Sequence, residues 1–315
     1  MKALITGAAG FVGPYVSEVL VRNGVECVGF ARPTDTGFER LPKEVKICFG
    51  DIRDAGAVGD CLREHRPELV VHLAAMTSVP ASFEHPGVTF DINVNGTLNL
   101  LECIRKSDIR PRILNVSTSL LYGSEGSGSS GFQESDPWHP NSPYATSKAM
   151  GELACAEYFR SFGLDIVTAR PFNHVGPGQT PDFVCSDFAR QIALIMAGKR
   201  DNEMRVGNLA PVRDFTDVRD IAQAYYCLLR AGRSGEAYNV CSGHLHAIAE
   251  ILDCLIKLSG IQVRVTRDEA RLRPAEVIRT TGDASKLRRE TGWQAVIPLA
   301  ETMELVLRDW VAAVR

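Results

Sequence analysis

Short apolar runs alternate with longer amphipathic segments through the first 170 residues, and this rhythm limits the possible folds more than any other feature. Segments near residues 11–23, 55–65, 86–106 and 144–162 have helical periodicity. The runs between them are apolar throughout, which is typical of parallel strands buried on both faces. They predict six strands: Lys2 to Thr6, Val25 to Phe30, Val45 to Phe49, Leu69 to Leu73, Ile113 to Ser117 and Asp165 to Ala169. The sequence therefore predicts an α/β fold with a doubly wound parallel sheet of the Rossmann type.

The rhythm changes from about residue 171, where Pro and Gly become frequent in RPFNHVGPGQTPDF. Helical patterns follow at 186–198, 217–231, 246–259 and 299–313, with one strand in EAYNVCS. We interpret this half as a smaller, mixed α/β lobe. The predicted units are 1–170, to which 213–243 returns, and a lobe formed by 171–212 and 244–315. The Gly/Ser-rich stretch 123–131 predicts a mobile loop or lid.

Composition favours a small-molecule partner in the cytoplasm. The net charge of −3 gives no electrostatic reason to expect nucleic acid. The N-terminus, MKALITGAAG, enters a strand pattern without a charged leader, and no apolar run is long enough to cross a membrane. The nine cysteines contain no C-x-x-C pair, and the histidines lack metal-ligand spacing. We therefore expect buried thiols and no metal site.

The stretch LITGAAGFVG places Gly7, Gly10 and Gly13 directly after the first strand, where the next helix begins. Glycine is needed where a backbone turns sharply or approaches a pyrophosphate, and the helix N-terminus stabilises the phosphate charge. The spacing is G-x-x-G-x-x-G, with Phe11 and Val12 between the second and third glycines. The turn predicts a dinucleotide site.

The end of the second strand bears on which dinucleotide is bound. Arg32 follows Ala31 there and can accommodate a 2′-phosphate, whereas an acid would bind the ribose hydroxyls. Asp35 is three residues further on, so we favour NADP(H) and leave NAD(H) open. The other residues expected to line the cofactor site are Asp51 and Ile52 after the third strand, Leu73, Ala74 and Ala75 after the fourth, and Pro171.

Tyr144 and Lys148 in NSPYATSK are the candidate proton-transfer pair. Ser142 is a good N-cap and Pro143 a good first helical residue, so the pair shares one helix face. A lysine charge about 4 Å away is worth roughly 4 kcal/mol at an effective dielectric near 20, or about 3 pK units. We therefore expect Lys148 to lower the pKa of Tyr144 toward neutrality, where it serves as a general acid or base.

The combination of TGAAGFVG, the strand-end hydroxyls of STSLLYG and YATSK resembles the extended short-chain dehydrogenase/reductase family over essentially the whole chain. The resemblance implies that Thr118 orients the substrate oxygen and that Tyr144 transfers the proton. It also implies that Lys148 lowers the Tyr144 pKa and holds the nicotinamide ribose. Members often dimerise through helices equivalent to 86–106 and 144–162, so we expect a homodimer.

The second half resembles the GDP-sugar branch of that family, in RPFNHVGPGQ, FVCSDFARQI, VGNLAPVRDFTDVRDIAQAY and YNVCSG. That branch contains GDP-4-keto-6-deoxy-mannose reductases and GDP-mannose 4,6-dehydratases. A GDP-linked nucleotide sugar is therefore the expected substrate, and its diphosphate needs cations such as arginine. The implied substrate residues are Ser78, Thr118, Asn173, Lys199, Asn208, Arg213, Arg273 and Glu276.

Leu120 distinguishes the reactions of this branch. Dehydratases carry a carboxylate two residues after the catalytic threonine, and here that residue is leucine. Glu125 and Glu134 are the other acids nearby in sequence. Because reduction needs only a hydride and one proton, we expect NADPH-dependent reduction of the 4-keto group of GDP-4-keto-6-deoxy-D-mannose to GDP-6-deoxy-D-mannose.

The alternatives are a nucleotide-sugar 4-epimerase, the dehydratase, and a non-enzymatic NADP-sensing protein. Ala31 and Arg32 argue against the epimerase, which typically holds NAD with an acid at this position. The sequence leaves open the stereochemistry at C4 and the base of the nucleotide.

Overall fold

Strands and helices alternate through the first half of the chain. The structure, a computed structural model, describes residues 1–123, 131–271 and 279–315. The strands are β1 (Lys2–Thr6), β2 (Glu26–Ala31), β3 (Lys46–Phe49), β4 (Leu69–His72), β5 (Arg112–Val116), β6 (Ile166–Pro171), β7 (Asn173–Val175), β8 (Glu203–Val206), β9 (Val212–Asp217), β10 (Ala237–Val240), β11 (Leu245–Ala247), β12 (Arg264–Arg267) and β13 (Arg279–Thr280). The helices are α1 (Gly13–Arg22), α2 (Ala55–His65), α3 (Val79–Glu84), α4 (Pro86–Phe90), α5 (Gly96–Lys106), α6 (Pro143–Phe162), α7 (Val184–Met196), α8 (Val218–Ala231), α9 (Ile248–Ser259), α10 (Ser285–Thr291) and α11 (Leu299–Ala313). The interior of the predicted Gly/Ser-rich loop, 124–130, lies outside the described residues.

Seven parallel strands form the main sheet in the order β3-β2-β1-β4-β5-β6-β10. Helices α1 and α8 cover one face, and α2, α5 and α6 cover the other. The doubly wound fold predicted from the sequence is thus confirmed. The strand order reverses between β1 and β4, and ligands of such sheets bind in the crevice at this point.

The six predicted strands of the first half are present, with ends within two residues of the prediction. The helical pattern at 86–106 is instead divided into α4, a π-helical turn (Asp91–Asn95) and α5. The wider turn buries Asn93, whose side-chain amide accepts the N–H of Met76 at 2.8 Å and donates to its carbonyl at 3.1 Å. The break between α4 and α5 thus coincides with hydrogen bonds from Asn93 to the chain after β4. Hydrophobic periodicity does not reveal this break.

A second, smaller sheet has β9 between β11 and β13, with β7 also paired to β9. Helices α7, α9 and α11 pack into a separate apolar core. The segment 213–243 is expected to return to the first unit. Its helix α8 packs on the main sheet and its strand β10 pairs with β6, but β9 belongs to the smaller sheet. The domain boundaries themselves stay a prediction.

Among the described helices, none combines the length and the apolar character needed to cross a bilayer. Even α6, with 20 residues, contains Lys148, Glu152, Glu157 and Arg160.

Candidate active site

The glycine-rich turn joins β1 to α1 where the strand order reverses. Gly7 has a φ of +70°, which glycine adopts without steric cost. A Cβ at Gly7 would lie 2.8 Å from the backbone nitrogen of Ala74, and one at Gly13 would overlap the Ala8 carbonyl. Gly10 is exposed, and a Cβ there would meet only the Gly7 carbonyl at 3.2 Å. Gly7 and Gly13 are therefore fixed by packing, while Gly10 leaves room beside the backbone.

Helix α1 begins at Gly13 without a side-chain cap, so its N-terminal amides are not satisfied by its own N-cap residue, Val12. Such amides bind phosphate groups. Phe11 stacks on His174, with ring centroids 5.9 Å apart and planes 2° apart, and this contact ties the turn to β7. The turn and the helix terminus together fit the pyrophosphate of a dinucleotide.

Arg32 and Asp35 form an ion pair at the end of β2. The Arg32 Nε and Nη2 donate to Asp35 Oδ1 at 2.9 and 2.7 Å, and the Arg32 backbone N–H donates to Oδ2 at 2.9 Å. The Arg32 side chain is 51% exposed, so its guanidinium faces solvent as well as its partner. Arg32, which would favour NADP(H), and Asp35, which would favour NAD(H), are thus bound to each other.

Asp51 and Ile52 lie between β3 and α2. Arg53 donates to both carboxylate oxygens of Asp51, from Nε at 3.0 Å and Nη2 at 2.7 Å, and these bonds lower the Asp51 pKa to about 2. Ile52 is buried against Gly96, where a Cβ would come within 2.7 Å of its Cγ2. Asp51 is therefore an acceptor that stays ionised, and Ile52 provides an apolar wall.

The remaining predicted cofactor residues follow strand ends. Leu73 donates its N–H to the Thr6 carbonyl at 3.1 Å, and Ala74 donates to the Thr6 hydroxyl at 3.2 Å. Ala75 follows them, half-buried, and Pro171 ends β6. Leu73 and Ala74 thus lie against the end of β1, at the crevice where the strand order reverses.

Thr118, just beyond the end of β5, lies close to Tyr144, and Lys148 follows Tyr144 one turn later on α6. As predicted, Ser142 caps α6, its hydroxyl accepting the Ala145 N–H at 3.1 Å, with Pro143 in the first turn. Tyr144 and Lys148 follow one turn apart and are both buried. The Thr118 hydroxyl lies close enough to the Tyr144 phenol to lower its pKa. The hydroxyl and the phenol are thus in place to act on one substrate oxygen.

Burial, rather than the lysine charge, dominates the pKa values of this pair. It raises the pKa of Tyr144 to about 12, although the nearby Thr118 hydroxyl lowers it. It lowers the pKa of Lys148 to about 8. The prediction that Lys148 brings the Tyr144 pKa toward neutrality is therefore wrong for the protein residues alone, because burial disfavours the phenolate and so raises the pKa.

Leu120 brings no acid to this site. Its backbone N–H donates to the Thr118 hydroxyl at 3.2 Å, and its side chain is half-buried in the one-turn 3₁₀ helix Ser119–Tyr122. Glu134 accepts the N–H of Asn239 in β10 at 2.8 Å, so this acid is bound to the sheet. Glu125 lies outside the described residues.

A buried ion pair that sequence reasoning missed lies between α6 and β6. Arg170 donates from Nε and Nη2 to Glu152 Oε1 at 2.9 and 2.7 Å, and both side chains are 6% exposed. Arg170 Nη1 also donates to the Tyr122 hydroxyl at 2.7 Å, which in turn donates to Asn239 at 2.8 Å. The pair thus connects α6 to the turn that carries Thr118. Tyr122 lies in STSLLYG and Arg170 lies in RPFNHVGPGQ. Their place in these two motifs is the one signal in the sequence that points to the pair.

A second buried chain of hydrogen bonds starts from the glycine-rich turn. Thr97 donates its hydroxyl proton to the Asn93 carbonyl at 2.6 Å, so it must accept from His72 Nε2 at 2.9 Å. His72 Nδ1 consequently accepts from the Thr6 hydroxyl at 2.8 Å. Burial lowers the pKa of His72 to about 3, so the imidazole is neutral.

The same chain reaches α6. The Asn93 side chain donates to the Ser147 hydroxyl at 2.8 Å, and Ser147 donates to the Tyr144 carbonyl at 2.7 Å. The hydrogen bonds thus run from β1 to the residue that bears the phenol.

The predicted substrate residues are only partly brought together. Asn173 and Arg213 lie on paired strands, and Asn173 Nδ2 donates to the Asp214 carbonyl at 3.3 Å. Ser78 caps α3, and Asn208 is exposed after β8, accepting the Ala210 N–H. The described contact of Lys199 is with the Val314 carbonyl at the end of α11. Arg273 and Glu276 lie outside the described residues.

A cavity of about 260 Å³ opens beside β13 in the second half. Arg279 and Arg288 line it, together with Asp283. It offers guanidinium groups that the sequence analysis did not single out.

The chain is similar over its whole length to nucleotide-sugar enzymes. A family model described as GDP-mannose 4,6 dehydratase matches residues 4–306. GDP-6-deoxy-D-mannose reductase of Pseudomonas aeruginosa is 34% identical, covering 100% of this chain and 98% of the relative. The solved structure of RMD from P. aeruginosa, in complex with NADPH, is 32% identical with a TM-score of 0.87, covering 99% of each chain.

An epimerase is equally similar in backbone. Thermus thermophilus UDP-glucose 4-epimerase, solved with NAD, is 31% identical with a TM-score of 0.90, covering 99% of this chain and 100% of that one. Backbone likeness therefore does not separate reductase from epimerase, and side chains such as Arg32 at the end of β2 must. What the fold, the glycine-rich turn and the family match establish together is that this chain belongs to the GDP-mannose 4,6-dehydratase family of extended short-chain dehydrogenases/reductases.

Proposed function

We propose that this protein catalyses the NADPH-dependent reduction of the 4-keto group of GDP-4-keto-6-deoxy-D-mannose, giving GDP-6-deoxy-D-mannose. One observation carries the choice: the Thr118–Tyr144 pair is intact, while the neighbouring position is Leu120. A hydroxyl and a phenol suffice to protonate a carbonyl oxygen. Elimination of water also needs a group that exchanges protons with carbon and the leaving hydroxyl, and leucine offers none.

The P. aeruginosa reductase supports the same reaction, because it is 34% identical over the whole of this chain. Its name identifies the product as GDP-6-deoxy-D-mannose. The structural relative with NADPH supports NADP(H) as the cofactor, and NAD(H) stays possible.

Tyr144 is the proton donor in this proposal. Its pKa of about 12 keeps the phenol protonated at neutral pH, as a general acid requires. Thr118 donates or accepts at the same substrate oxygen and so orients the carbonyl. Lys148, buried one turn after Tyr144, carries its charge below a pKa of about 8, which stabilises the negative charge that develops as the phenol gives up its proton.

Bound NADPH supplies the hydride. The chain holds this cofactor at two groups, the pyrophosphate and the 2′-phosphate. The turn at Gly7 and Gly10 and the N-terminus of α1 take the pyrophosphate. Arg32 binds the 2′-phosphate. To do so, its guanidinium either keeps Asp35 as a second partner or releases it. The nucleotide sugar then occupies the side of β9, where Asn173 and Arg213 offer an amide and a cation.

The test is to mix purified protein with GDP-4-keto-6-deoxy-D-mannose and NADPH and to follow loss of reduced-cofactor absorbance and the sugar product. Loss of absorbance with formation of GDP-6-deoxy-D-mannose is expected. Three results would contradict the proposal: no oxidation with either cofactor, conversion of GDP-mannose to the keto sugar without added reductant, or interconversion of UDP-hexoses with tightly held NAD.

A matched pair of variants addresses Leu120 directly. Leu120→Glu places a carboxylate beside Thr118, and we expect reduction to fall because the charge disturbs the carbonyl site. Leu120→Met keeps the apolar character and volume, so it should retain most of the activity. Equal rates for the two variants would show that position 120 does not face the reacting sugar.

We also propose a cytoplasmic homodimer. Met150 and Leu153 on α6 are 44% and 56% exposed, which leaves apolar surface on one of the helices expected to form the dimer. All nine cysteines are free thiols, as is usual in a reducing compartment. Light scattering should give twice the mass of 34.4 kDa for the wild-type chain and a lower mass for Leu153→Asp.

A further inference from the structure

Three side chains with nitrogen or sulfur donors meet at the edge of the main sheet, away from the catalytic helix. The ligand atoms of Cys48, Cys61 and His65 all lie within 4.8 Å of one another. Cys48 belongs to β3, the last strand of the sheet, and the other two belong to α2. The expectation that the chain has no metal site overlooked this group, because β3 packing on α2 is what brings Cys48 to the helix.

The three donors are held on regular elements. Cys61 and His65 are four residues apart on α2 and so share one face. The N-terminus of α2 is fixed by Asp54, whose carboxylate accepts the N–H groups of Gly56 and Ala57 at 2.8 and 3.1 Å. Cys61 is buried, whereas Cys48 is half-buried and the His65 side chain is 16% exposed. A small ion can therefore reach the group from solvent.

Two cysteine sulfurs and an imidazole nitrogen are the donors that Zn²⁺ prefers. Tetrahedral bonds of about 2.3 Å to sulfur and about 2.0 Å to nitrogen place neighbouring donors roughly 3.5–3.8 Å apart. Small side-chain rotations bring donors within 4.8 Å of each other to that spacing. Water or the Glu64 carboxylate, which lies 3.7 Å from His65 Nε2, completes the four ligands.

The charges around the group favour a cation on balance. His65 is the last residue of α2, where the helix dipole places partial negative charge. The Glu64 carboxylate lies 3.7 Å from the imidazole. The Glu26 carboxylate is paired with Lys46 at 3.1 Å and with Lys2 at 3.9 Å, so these charges largely offset one another.

We propose that Cys48, Cys61 and His65 bind one zinc-class transition-metal ion, with both thiols losing their protons to solvent on binding. The ion joins β3 to α2, the two elements that flank Asp51 and Ile52. Its effect therefore falls on the stability of this edge and on the loop expected to hold the adenine, not on Tyr144.

The test uses the full-length protein, reduced with a phosphine and stripped of metal with a chelator, and titrates it with Co²⁺. We expect one equivalent to give thiolate-to-cobalt charge transfer and the visible bands of tetrahedral Co²⁺, both lost when Zn²⁺ is added. Zn²⁺ should also raise the melting temperature of the stripped protein.

Variants assign the signal. Cys48→Ser and His65→Ala should abolish the charge-transfer band at one equivalent, while Cys254→Ser, which removes another half-buried thiol, should keep it. Circular dichroism identifies any variant that is unfolded, and Cys61 is left intact because it is fully buried. The proposal would be overturned if the wild type gave no tetrahedral spectrum, or if either Cys48→Ser or His65→Ala gave an undiminished one.

Discussion

Glu152 lies one turn after Lys148 on α6 and forms a buried ion pair with Arg170, with Nη2 and Oε1 2.7 Å apart. Arg170 also holds the Tyr122 hydroxyl, and Tyr122 ends the turn that Thr118 caps. A chain of charged hydrogen bonds thus connects α6 to the turn that begins at Thr118. We expect both the stability of the fold and the position of Thr118 relative to Tyr144 to depend on it.

Replacing Glu152 with Gln should leave the Arg170 charge buried and unpaired. Loss of one partner from a buried pair typically costs about 3–5 kcal/mol. We expect a loss of this order in the free energy of unfolding, measured by urea denaturation. Glu157→Gln is the control on the same helix, because the Glu157–Arg160 pair is exposed and screened by water. Equal midpoints for the two variants would contradict the role given to Glu152.

Removal of the Tyr144 hydroxyl should slow reduction about 10²–10⁴-fold, the usual contribution of general acid catalysis. The variant is Tyr144→Phe, and the measurement is kcat with the 4-keto sugar. Since Tyr144 is protonated up to a pKa of about 12 and Lys148 loses its charge above about 8, the wild-type rate should fall as pH rises through 8. A rate in Tyr144→Phe equal to that of the wild type would exclude this residue as the acid.

Lys148 should be costly to the fold at neutral pH. Its folded pKa of about 8 lies below its ordinary value of 10.5, so the unfolded chain binds the proton more tightly, and stability rises with pH between these values. The difference corresponds to roughly 3 kcal/mol. Lys148→Met should therefore unfold at higher urea concentration than the wild type at pH 7, while its kcat falls. A Met variant less stable than the wild type would show that Lys148 is satisfied in the folded state.

The sequence predicts local features of the site well and contacts between distant elements poorly. The Gly7 turn, the Ser142 cap and the spacing of Tyr144 and Lys148 depend on neighbouring residues, so pattern and turn chemistry identify them. Glu152 and Arg170 meet only because α6 packs on β6, which no local pattern encodes. The pKa values of Tyr144 and Lys148 depend mainly on burial. The distance between the two side chains alone therefore predicts the wrong direction for the pKa shift of the tyrosine.

His72 should make the protein sensitive to acid. Its folded pKa of about 3 lies below the ordinary value of 6.5, so the stabilisation is fully present above 6.5 and is lost as pH falls toward 3. His72→Gln keeps polar atoms near Thr6 and Thr97 but does not titrate. We expect this variant to be less stable at pH 7 and to lose less stability between pH 6.5 and 4, measured as urea midpoints. Parallel losses in wild type and variant would mean that other groups control acid unfolding.

Cofactor preference should depend on Arg32 and Asp35 in opposite directions. Hydrogen bonds to charged groups contribute about 1.5–3 kcal/mol, so Arg32→Ala should raise the KM for NADPH roughly 10- to 100-fold and leave that for NADH little changed. Asp35→Asn removes the carboxylate that holds the guanidinium at 2.7 Å, so the KM for NADPH should fall. The ratio of kcat/KM for the two cofactors measures both effects. If Arg32→Ala raises both KM values equally, Arg32 serves the fold of the loop and not the 2′-phosphate. If Asp35→Asn instead raises the KM for NADPH, the ion pair positions Arg32 for the phosphate and does not compete with it.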